Sequence, residues 1–285
     1  MLALFVVLVH LVLVAAAGSH PRHRKVGNCL LYLFEILPRT GHSAPSAQPP
    51  MVSVPLENTE KLVWTVMVSI ENVKFKVLVD TGSSGLWVLS SECKNPEFVE
   101  KSKYVPKNLP EQNPETFNLE YINTRVEGVV HSDTVTIGSI RLDNHYFGGA
   151  TKVESHCRLE GILGLPPTIS TVHGPSFINH PDFLREAIEQ RKISPKFSIN
   201  LASPNPRLHL GGIDHRGYTG PIEYHKVVAG GKHWILENCH LTIQQAGHQR
   251  TTHTVQLLGR RSLIDTGATA IYGHPEVVKG FCIQS

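Results

Sequence analysis

The sequence predicts a mainly β protein with little helix. Short runs rich in valine, isoleucine, threonine and aromatic residues alternate with turn-forming residues from Leu62 onward, a pattern typical of strands. A single convincing helical pattern begins near Pro181 and ends at Ser194 and Pro195, because its apolar residues recur at helical spacing. Hydrophobic residues make up 41% and charged residues 18% of the 285 residues, which predicts a folded core rather than a disordered chain.

Six segments carry the strand pattern. They lie at residues 62–70, 74–79, 129–137, 197–201, 208–210 and 233–243. Because these runs are short and separated by turn signals, the pattern is typical of a mainly β fold with little helix.

The positive charge of the chain is confined to one segment. Residues 18–50 carry four basic residues against Glu35 alone, whereas from Met51 onward basic and acidic residues balance at 23 each. Binding of nucleic acid needs clustered cations. The neutral body of the chain therefore argues against a nucleic-acid partner.

The first seventeen residues have the composition of a secretory signal. Residues 2–17 are apolar apart from His10 and end in three consecutive alanines, a site suited to signal peptidase, although a basic start is missing. Sixteen residues are short for a membrane span. We therefore expect a cleaved signal peptide at 1–17, entry into the secretory pathway and no membrane attachment after cleavage.

The five cysteines are too few for a disulfide framework. They are Cys29, Cys93, Cys157, Cys239 and Cys282, and none forms a Cys-x-x-Cys pair, so a zinc site is not expected. In an oxidising compartment one or two disulfide bonds are plausible, and Cys93–Cys157 is one candidate pair. The histidines show no metal-ligand arrangement either, so no metal is predicted.

Two similar segments carry the chemistry. Each is an apolar run that ends in Asp-Thr-Gly: residues 77–84 contain Asp80, and residues 262–269 contain Asp265, 185 residues further on. A lone Asp-Thr-Gly usually marks a turn. Two copies behind apolar strands instead indicate an internal repeat, with two related lobes that each present one carboxylate.

A pair of carboxylates suits the hydrolysis of an amide bond. The reaction needs a general base for water and a general acid for the carbonyl oxygen. Two neighbouring carboxylates supply both, because like charges in close contact cannot both ionise and one keeps its proton. Glycine lets the backbone approach and donate N–H groups to the carboxylates, and the threonine hydroxyls of the two motifs can tie the turns together.

From about Pro55 to Phe281 the chain resembles the pepsin-like aspartic proteases. The motifs that carry the resemblance occur in the order typical of that family: Pro55–Asn58, Asp80–Ser84, Leu86–Val88, Gly161–Leu165, Phe197–Ile199, Leu210–Asp214, Tyr218–Gly220 and Asp265–Gly267. The resemblance implies a bilobal β fold, a complete N-terminal lobe at 51–201 and a C-terminal lobe at 202–285. It also implies a monomer that cleaves polypeptide substrates without a cofactor.

The resemblance also implies roles for particular residues. Asp80 and Asp265 are the expected catalytic pair. Tyr121, 41 residues after Asp80, matches the tyrosine of the substrate-covering flap, with Trp87 as its hydrogen-bond partner and Ile162 in a substrate subsite. The active-site loops are expected to be supported by Thr81, Gly82, Ser83, Thr266 and Gly267.

Three features depart from the family pattern. Ala268 stands where many relatives have a hydroxyl residue, which removes one hydrogen bond to the carboxylates and favours activity at less acidic pH. At the flap, β-branched Ile122 stands where glycine is usual, which stiffens the hinge and favours altered specificity or reduced activity. Only 20 residues follow Asp265, whereas 82 separate Asp80 from Ile162, so we expect the C-terminal lobe to be incomplete.

The basic segment 18–50 is similar in place and charge to a family prosegment. We expect it to act as an intramolecular inhibitor, with Arg22 and Lys25 as candidate contacts to the carboxylates. A disordered basic linker is the alternative.

The leading hypothesis is a secreted or lysosomal aspartic endopeptidase made as a zymogen. An inactive or truncated homologue that binds peptides without cleaving them, or an unrelated β-rich adhesion module, remain the alternatives.

Overall fold

The computed structural model describes residues 5–9, 31–35, 49–59, 63–107, 113–122, 124–155, 159–167, 180–201, 204–217, 224–228, 232–237, 240–245, 251–256, 261–270 and 272–275. The predicted cleavage site, the basic residues Arg22 and Lys25, and all cysteines except Cys93 lie outside this part of the chain. Predictions that depend on those residues stay predictions.

The fold is mainly β, as predicted. The strands are β1 (Phe5–Val9), β2 (Leu31–Glu35), β3 (Val52–Pro55), β4 (Glu57–Thr59), β5 (Val63–Ile70), β6 (Val73–Asp80), β7 (Leu86–Leu89), β8 (Thr116–Glu120), β9 (Thr124–Ile137), β10 (Ile140–Ser155), β11 (Gly161–Gly164), β12 (Lys196–Asn200), β13 (Arg207–Leu210), β14 (Tyr224–Lys226), β15 (Ile235–Glu237), β16 (His240–Gln245), β17 (Thr251–Gln256) and β18 (Arg261–Leu263). The helices are α1 (Phe183–Glu189) and two 3₁₀ turns, Pro96–Phe98 and His215–Gly217.

An eight-stranded sheet holds the first Asp-Thr-Gly loop. Its strand order is β4-β5-β6-β11-β7-β10-β9-β8. Strand β11 lies parallel to β6, with Ile162 opposite Leu78 and Gly164 opposite Asp80, and antiparallel to β7. The last four residues of β6 are all buried, which is typical of an apolar central strand. Asp80 is therefore the last residue of β6, and the pairing of β6 with Gly164 of β11 fixes its position.

A six-stranded sheet joins the two parts of the chain. Its order is β14-β1-β2-β12-β13-β3, and the strand pairs are antiparallel. Strand β1 lies within the expected signal peptide and β2 within the expected prosegment. Cleavage after Ala17 would remove β1 and separate β14 from the sheet, whereas β2 would keep its pairing with β12.

The core consists of two packed clusters. The larger one contains Phe75, Phe147, Phe183, Phe197 and Trp234, so the N-terminal sheet, the helix and the segment before β15 share one apolar interior. The smaller one lies beneath the β8–β9 hairpin and includes Trp87 and Phe117. Because buried apolar area is the main stabilising contribution to folding, these clusters fix the positions of the strands that lead to the two loops.

Helix α1 begins where predicted and ends earlier than predicted. The side chain of Asp182 accepts a hydrogen bond from the Arg185 backbone N–H and caps the first turn, as N-cap residues do. Arg191 adopts a left-handed conformation with φ of 56°, which terminates the helix before Ser194 and Pro195. In the part of the chain that the structure describes, no helix has the length and apolar character needed to cross a membrane.

Candidate active site

The two Asp-Thr-Gly loops have the same local geometry. In each, the backbone N–H of the glycine donates to the Oδ1 atom of the aspartate two residues earlier: Gly82 to Asp80 and Gly267 to Asp265, both at 2.8 Å. Strand β6 ends at Asp80, and strand β18 ends two residues before Asp265. The sequence repeat is therefore also a structural repeat, in which a strand delivers a carboxylate and a turn clamps it.

The threonines of the motifs bind the two loops to each other. The Thr81 hydroxyl donates to the backbone oxygen of Ile264 at 2.8 Å and accepts from the Thr266 N–H at 3.0 Å. The Thr266 hydroxyl donates to the backbone oxygen of Val79 at 2.7 Å and accepts from the Thr81 N–H at 3.2 Å. Four hydrogen bonds thus cross between segments 185 residues apart.

Each glycine also lies against the carboxylate of the other loop. A Cβ atom built on Gly82 would lie 2.6 Å from Cγ of Asp265, and one on Gly267 would lie 2.6 Å from Oδ1 of Asp80. Real Cβ atoms essentially never approach so closely, so these positions admit only glycine without displacement of a carboxylate. The two aspartate side chains consequently meet across the two turns.

The environment of Asp80 favours its protonated form. Burial raises the pKa of this carboxyl to about 7; the Ser83 hydroxyl opposes the shift, and the charge of Asp265 and a hydrogen bond with it add to it. Only 5% of Asp80 is exposed. Removal of a charged group from water and proximity to a like charge both stabilise the neutral acid. The pair therefore retains a proton under mildly acidic conditions.

The two carboxyls differ in the residue three positions further on. The Ser83 hydroxyl lies close enough to Asp80 to lower the pKa of that carboxyl, although its buried Oγ atom forms no hydrogen bond in the structure; Ala268 has no polar side-chain atom near Asp265. The site is therefore symmetric in its backbone and asymmetric in its side-chain donors.

Tyr121, the expected flap tyrosine, lies beside Trp87. The Trp87 indole N–H donates to the hydroxyl of Tyr121 at 3.1 Å, and Tyr121 packs against the smaller core cluster, which contains Trp87 and Ile162. Burial raises the pKa of Tyr121, as does the charge of Asp80. The three expected substrate-binding residues therefore share one cluster that reaches the Asp80 carboxyl.

The tip of the β8–β9 hairpin presents an apolar side chain to solvent. Ile122 directly follows Tyr121 and is 84% exposed. The Tyr121 N–H donates to the Thr124 backbone oxygen at 2.8 Å, which closes the turn around Ile122. An exposed β-branched residue at this position restricts the backbone without contributing to the core.

Leu165 of the Gly161–Leu165 motif also supports the loops, together with two residues that the sequence patterns did not single out, Glu160 and Trp234. Glu160 accepts from the Lys76 backbone N–H at 2.6 Å and so attaches the start of β11 to β6. Leu165 donates its N–H to the Asp80 backbone oxygen at 2.8 Å. The indole of Trp234 donates to the Leu165 backbone oxygen at 2.8 Å. Trp234 follows no motif, and a buried tryptophan is ordinarily a core residue, so composition alone gave no signal.

The site contains no metal-binding cluster among the described residues, since no three His, Cys, Asp or Glu side chains there are close enough to hold an ion. Cys93 is buried and forms no disulfide bond within this part of the chain. Its candidate partner Cys157 lies outside the described residues, so the Cys93–Cys157 pairing stays a prediction.

Comparisons with known proteins agree with this geometry. The family model described as eukaryotic aspartyl protease matches residues 63–284. The chain is 30% identical over 227 residues to an aspartic protease of Phaffia rhodozyma, which covers 78% of this chain and 53% of that protein. It is 31% identical over 216 residues to cathepsin E-B of Xenopus laevis, at 70% and 50% coverage respectively. It is 34% identical over 157 residues to vacuolar protease A of Neurospora crassa, at 52% and 38%.

The fold and the two paired Asp-Thr-Gly loops place the chain in the class of aspartic proteases. The chain belongs to the eukaryotic aspartyl protease family. It spans about half the length of the Phaffia rhodozyma and Xenopus laevis relatives and 38% of the Neurospora crassa relative.

Proposed function

We propose that this protein is an aspartic endopeptidase that hydrolyses peptide bonds with Asp80 and Asp265 as its catalytic pair. The observation that carries the proposal is the mutual clamp of the two loops. Each carboxylate accepts from its own glycine N–H at 2.8 Å and lies against the glycine of the other loop. Such a juxtaposition costs electrostatic repulsion unless a proton is shared, and an acid–base pair is what the reaction uses.

In the proposed mechanism the proton belongs to the pair rather than to one residue. One carboxylate accepts a proton from a water molecule while the oxygen of that water attacks the peptide carbonyl carbon. The other carboxyl donates its proton to the carbonyl oxygen, giving a tetrahedral diol. As the diol collapses, the C–N bond breaks and the carboxyl that took the proton of water protonates the leaving nitrogen. The other group, now a carboxylate, accepts the proton of a diol hydroxyl, which restores the starting pair. The pKa of Asp80, raised to about 7, keeps the necessary proton in place at acidic pH.

The proposed substrates are extended polypeptides. Tyr121, next to the end of β8, is near enough to Asp80 for the charge of that carboxyl to raise the pKa of the tyrosine, and both Tyr121 and Ile162 belong to the smaller core cluster. Backbone N–H groups of a flap bind an extended chain regardless of its sequence, whereas apolar walls select side chains. We therefore infer a preference for apolar residues beside the cleaved bond.

We further propose that the protein is made as a zymogen for an acidic or extracellular compartment. The basic segment 18–50 is the proposed inhibitor, and strand β2 within it pairs with β12 in the six-stranded sheet. One relative is named as vacuolar, which supports an acidic destination. Protonation of carboxylates on acidification weakens their pairing with lysine and arginine, and this provides the trigger for release.

The test is cleavage of an unfolded protein substrate by the purified, acidified chain. We expect new peptide termini, inhibition by a statine-type transition-state analogue, and loss of cleavage in Asp80→Asn and in Asp265→Asn. The matched control is Asp214→Asn, which removes a carboxylate held by Arg216 outside the site. Unchanged cleavage by Asp80→Asn would contradict the proposal.

A peptide-binding protein without activity is the second candidate, because one observation favours it. Ile122 replaces the small residue expected at the flap tip and is 84% exposed, so the hinge that must open for turnover is stiffened. The same incubation separates the two functions. Saturable binding of the statine-type analogue without new peptide termini supports the binding protein.

A further inference from the structure

A chain of hydrogen bonds through the core links the two aspartate loops by a route separate from the threonines. Trp234 is fully buried and lies just before β15. Its indole N–H donates to the backbone oxygen of Leu165 at 2.8 Å. Its ring meets Phe197 edge to face, with centroids 5.9 Å apart. The indole is therefore held in one orientation by packing and aims its only donor at Leu165.

Both ends of this route reach the candidate catalytic residues. The Leu165 N–H donates to the Asp80 backbone oxygen at 2.8 Å, and the backbone oxygen of Trp234 accepts from the Ile264 N–H at 3.0 Å. Ile264 directly precedes Asp265. Trp234 thus connects the two loops. Its side chain binds Leu165, which is hydrogen-bonded to the Asp80 backbone, and its backbone binds Ile264, the residue before Asp265.

The Thr81 hydroxyl closes the route into a ring. It donates to the Ile264 backbone oxygen at 2.8 Å, so Asp80, Leu165, Trp234, Ile264 and Thr81 form a closed circuit of hydrogen bonds and one peptide link. A ring of this kind constrains distance, because a shift of one member strains or breaks a bond. Thr81, Leu165 and Trp234 are buried and Ile264 is partly buried, and an unpaired group in a buried environment is costly.

The Asp80 loop and the Asp265 loop are held by different strands, and Trp234 connects the two sets of strands. The Asp80 loop is held by β11, which pairs directly with β6. The Asp265 loop follows β18, whose partner among the described residues is β15. The bond from Ile264 to Trp234 extends that short β15–β18 ladder to the residue before Asp265. The indole bond then fixes the ladder to the end of β11.

We propose that Trp234 is a positioning residue that sets the separation of the Asp80 and Asp265 carboxyls through the bond from its indole N–H to Leu165. This role rests on the proposed function of the two aspartates. Trp234 does not touch substrate; it acts through Leu165 and Ile264. Loss of the donor is expected to let the β15–β18 ladder shift relative to β11 while the apolar packing with Phe197 remains.

The first test compares Trp234→Phe with the matched control Trp64→Phe, a half-buried tryptophan of β5 that also packs against the core. For Trp234→Phe we expect kcat to fall about 10- to 100-fold, because small misplacement of catalytic groups has effects of that size. We expect KM to change less than about twofold, since the substrate-binding residues are not moved. Trp64→Phe is expected to change neither. Equal kcat for Trp234→Phe and the wild-type chain would overturn the proposal.

The second test does not depend on turnover. In the chain labelled with ¹³C-aspartate, Asp80→Asn identifies the Asp80 carboxyl signal, and its titration is followed in the wild type and in Trp234→benzothienylalanine, which replaces only the N–H. We expect a lower Asp80 pKa in the variant because Asp265 moves away. An unchanged titration midpoint would overturn the proposal even if the stability had fallen. Absence of cleavage by the wild-type chain would contradict the proposed function alone, and this titration would still decide the role of Trp234.

Discussion

Thr81 and Thr266 exchange hydrogen bonds in both directions. Each hydroxyl donates to a backbone oxygen of the opposite loop and accepts from the N–H of the opposite threonine, at 2.7–3.2 Å. Each hydroxyl thus makes two hydrogen bonds, and Thr81 is fully buried. Because the bonds cross between loops rather than within them, they position one aspartate relative to the other. A single hydroxyl therefore affects both stability and the geometry of the site.

Thr81→Val is expected to destabilise the protein by about 2–4 kcal/mol. The substitution keeps the shape of the side chain but leaves the Ile264 oxygen and the Thr266 N–H without this partner, and an unsatisfied buried group costs about 1–3 kcal/mol. Urea unfolding measures the change as a shift in midpoint at constant slope. Thr81→Ser retains the hydroxyl and is expected to lose less than half as much. Equal losses for valine and serine would show that methyl packing, not hydrogen bonding, holds the loops.

Gly82→Ala is expected to reduce kcat at least about 100-fold, because the added Cβ would lie 2.6 Å from Cγ of Asp265 and must displace the carboxylate. Gly217→Ala is the matched control. Its Cβ would meet Nδ2 of Asn200 at 2.6 Å, the far end of a side chain that can rotate away. Steady-state kinetics at acidic pH compare the two variants. Full activity in Gly82→Ala would mean that the carboxylates do not need their present spacing.

The sequence was sufficient to predict the parts of the site that carry chemical signatures. The repeated Asp-Thr-Gly behind apolar strands singled out Asp80 and Asp265 as candidates, and the structure brings the two loops that carry them into contact. The Trp87–Tyr121 hydrogen bond followed from a family resemblance rather than from spacing, since an isolated tyrosine in a strand gives no sign of its partner.

The remaining features depend on tertiary contacts that local patterns do not encode. Strand β10 extends over sixteen residues, but its adjacent glycines 148 and 149 and its polar residues interrupt the apolar alternation that marks a strand. The sequence does not distinguish Trp234 from any other core tryptophan. Only the hydrogen bond from its indole N–H to the Leu165 backbone oxygen does so. The helix was expected to continue to Ser194 because nothing in the sequence identifies Arg191 as left-handed.

The carboxyls of Asp80 and Asp182 are expected to add to the free energy of unfolding as pH falls from 7 towards 4, whereas burial lowers the pKa of His131 and of His209, and these two side chains oppose the gain. The pKa is raised to about 7 for Asp80 and to about 6 for Asp182, in both cases mainly by burial, whereas an unfolded aspartate titrates near about 3.9. Between these values the folded state binds more protons than the unfolded state. Stability is therefore gained as pH falls and is lost again as pH rises through the folded pKa.

Two variants separate the contributions. Asp80→Asn is expected to reduce the slope of stability against pH by up to about 1.4 kcal/mol per pH unit between about pH 4 and 7. Asp182→Asn preserves a good N-cap residue and is expected to reduce the slope only below about pH 6. Urea unfolding at a series of pH values gives both slopes. A profile for Asp80→Asn parallel to that of the wild type would show that its carboxyl is not shifted.

Trp87 and Tyr121 are expected to act as one unit in turnover. The indole is 2% exposed and donates to the tyrosine hydroxyl at 3.1 Å, so Tyr121→Phe leaves a buried donor without this acceptor, and Trp87→Phe frees the hydroxyl that orients the flap. Each single variant is expected to lower kcat/KM, which corresponds to a rise of about 1–2 kcal/mol in the activation free energy. The double variant is expected to lose no more than the worse single, a coupling of about 1 kcal/mol. Strictly additive losses would show that the two side chains contribute separately and that the hydrogen bond does not position the flap.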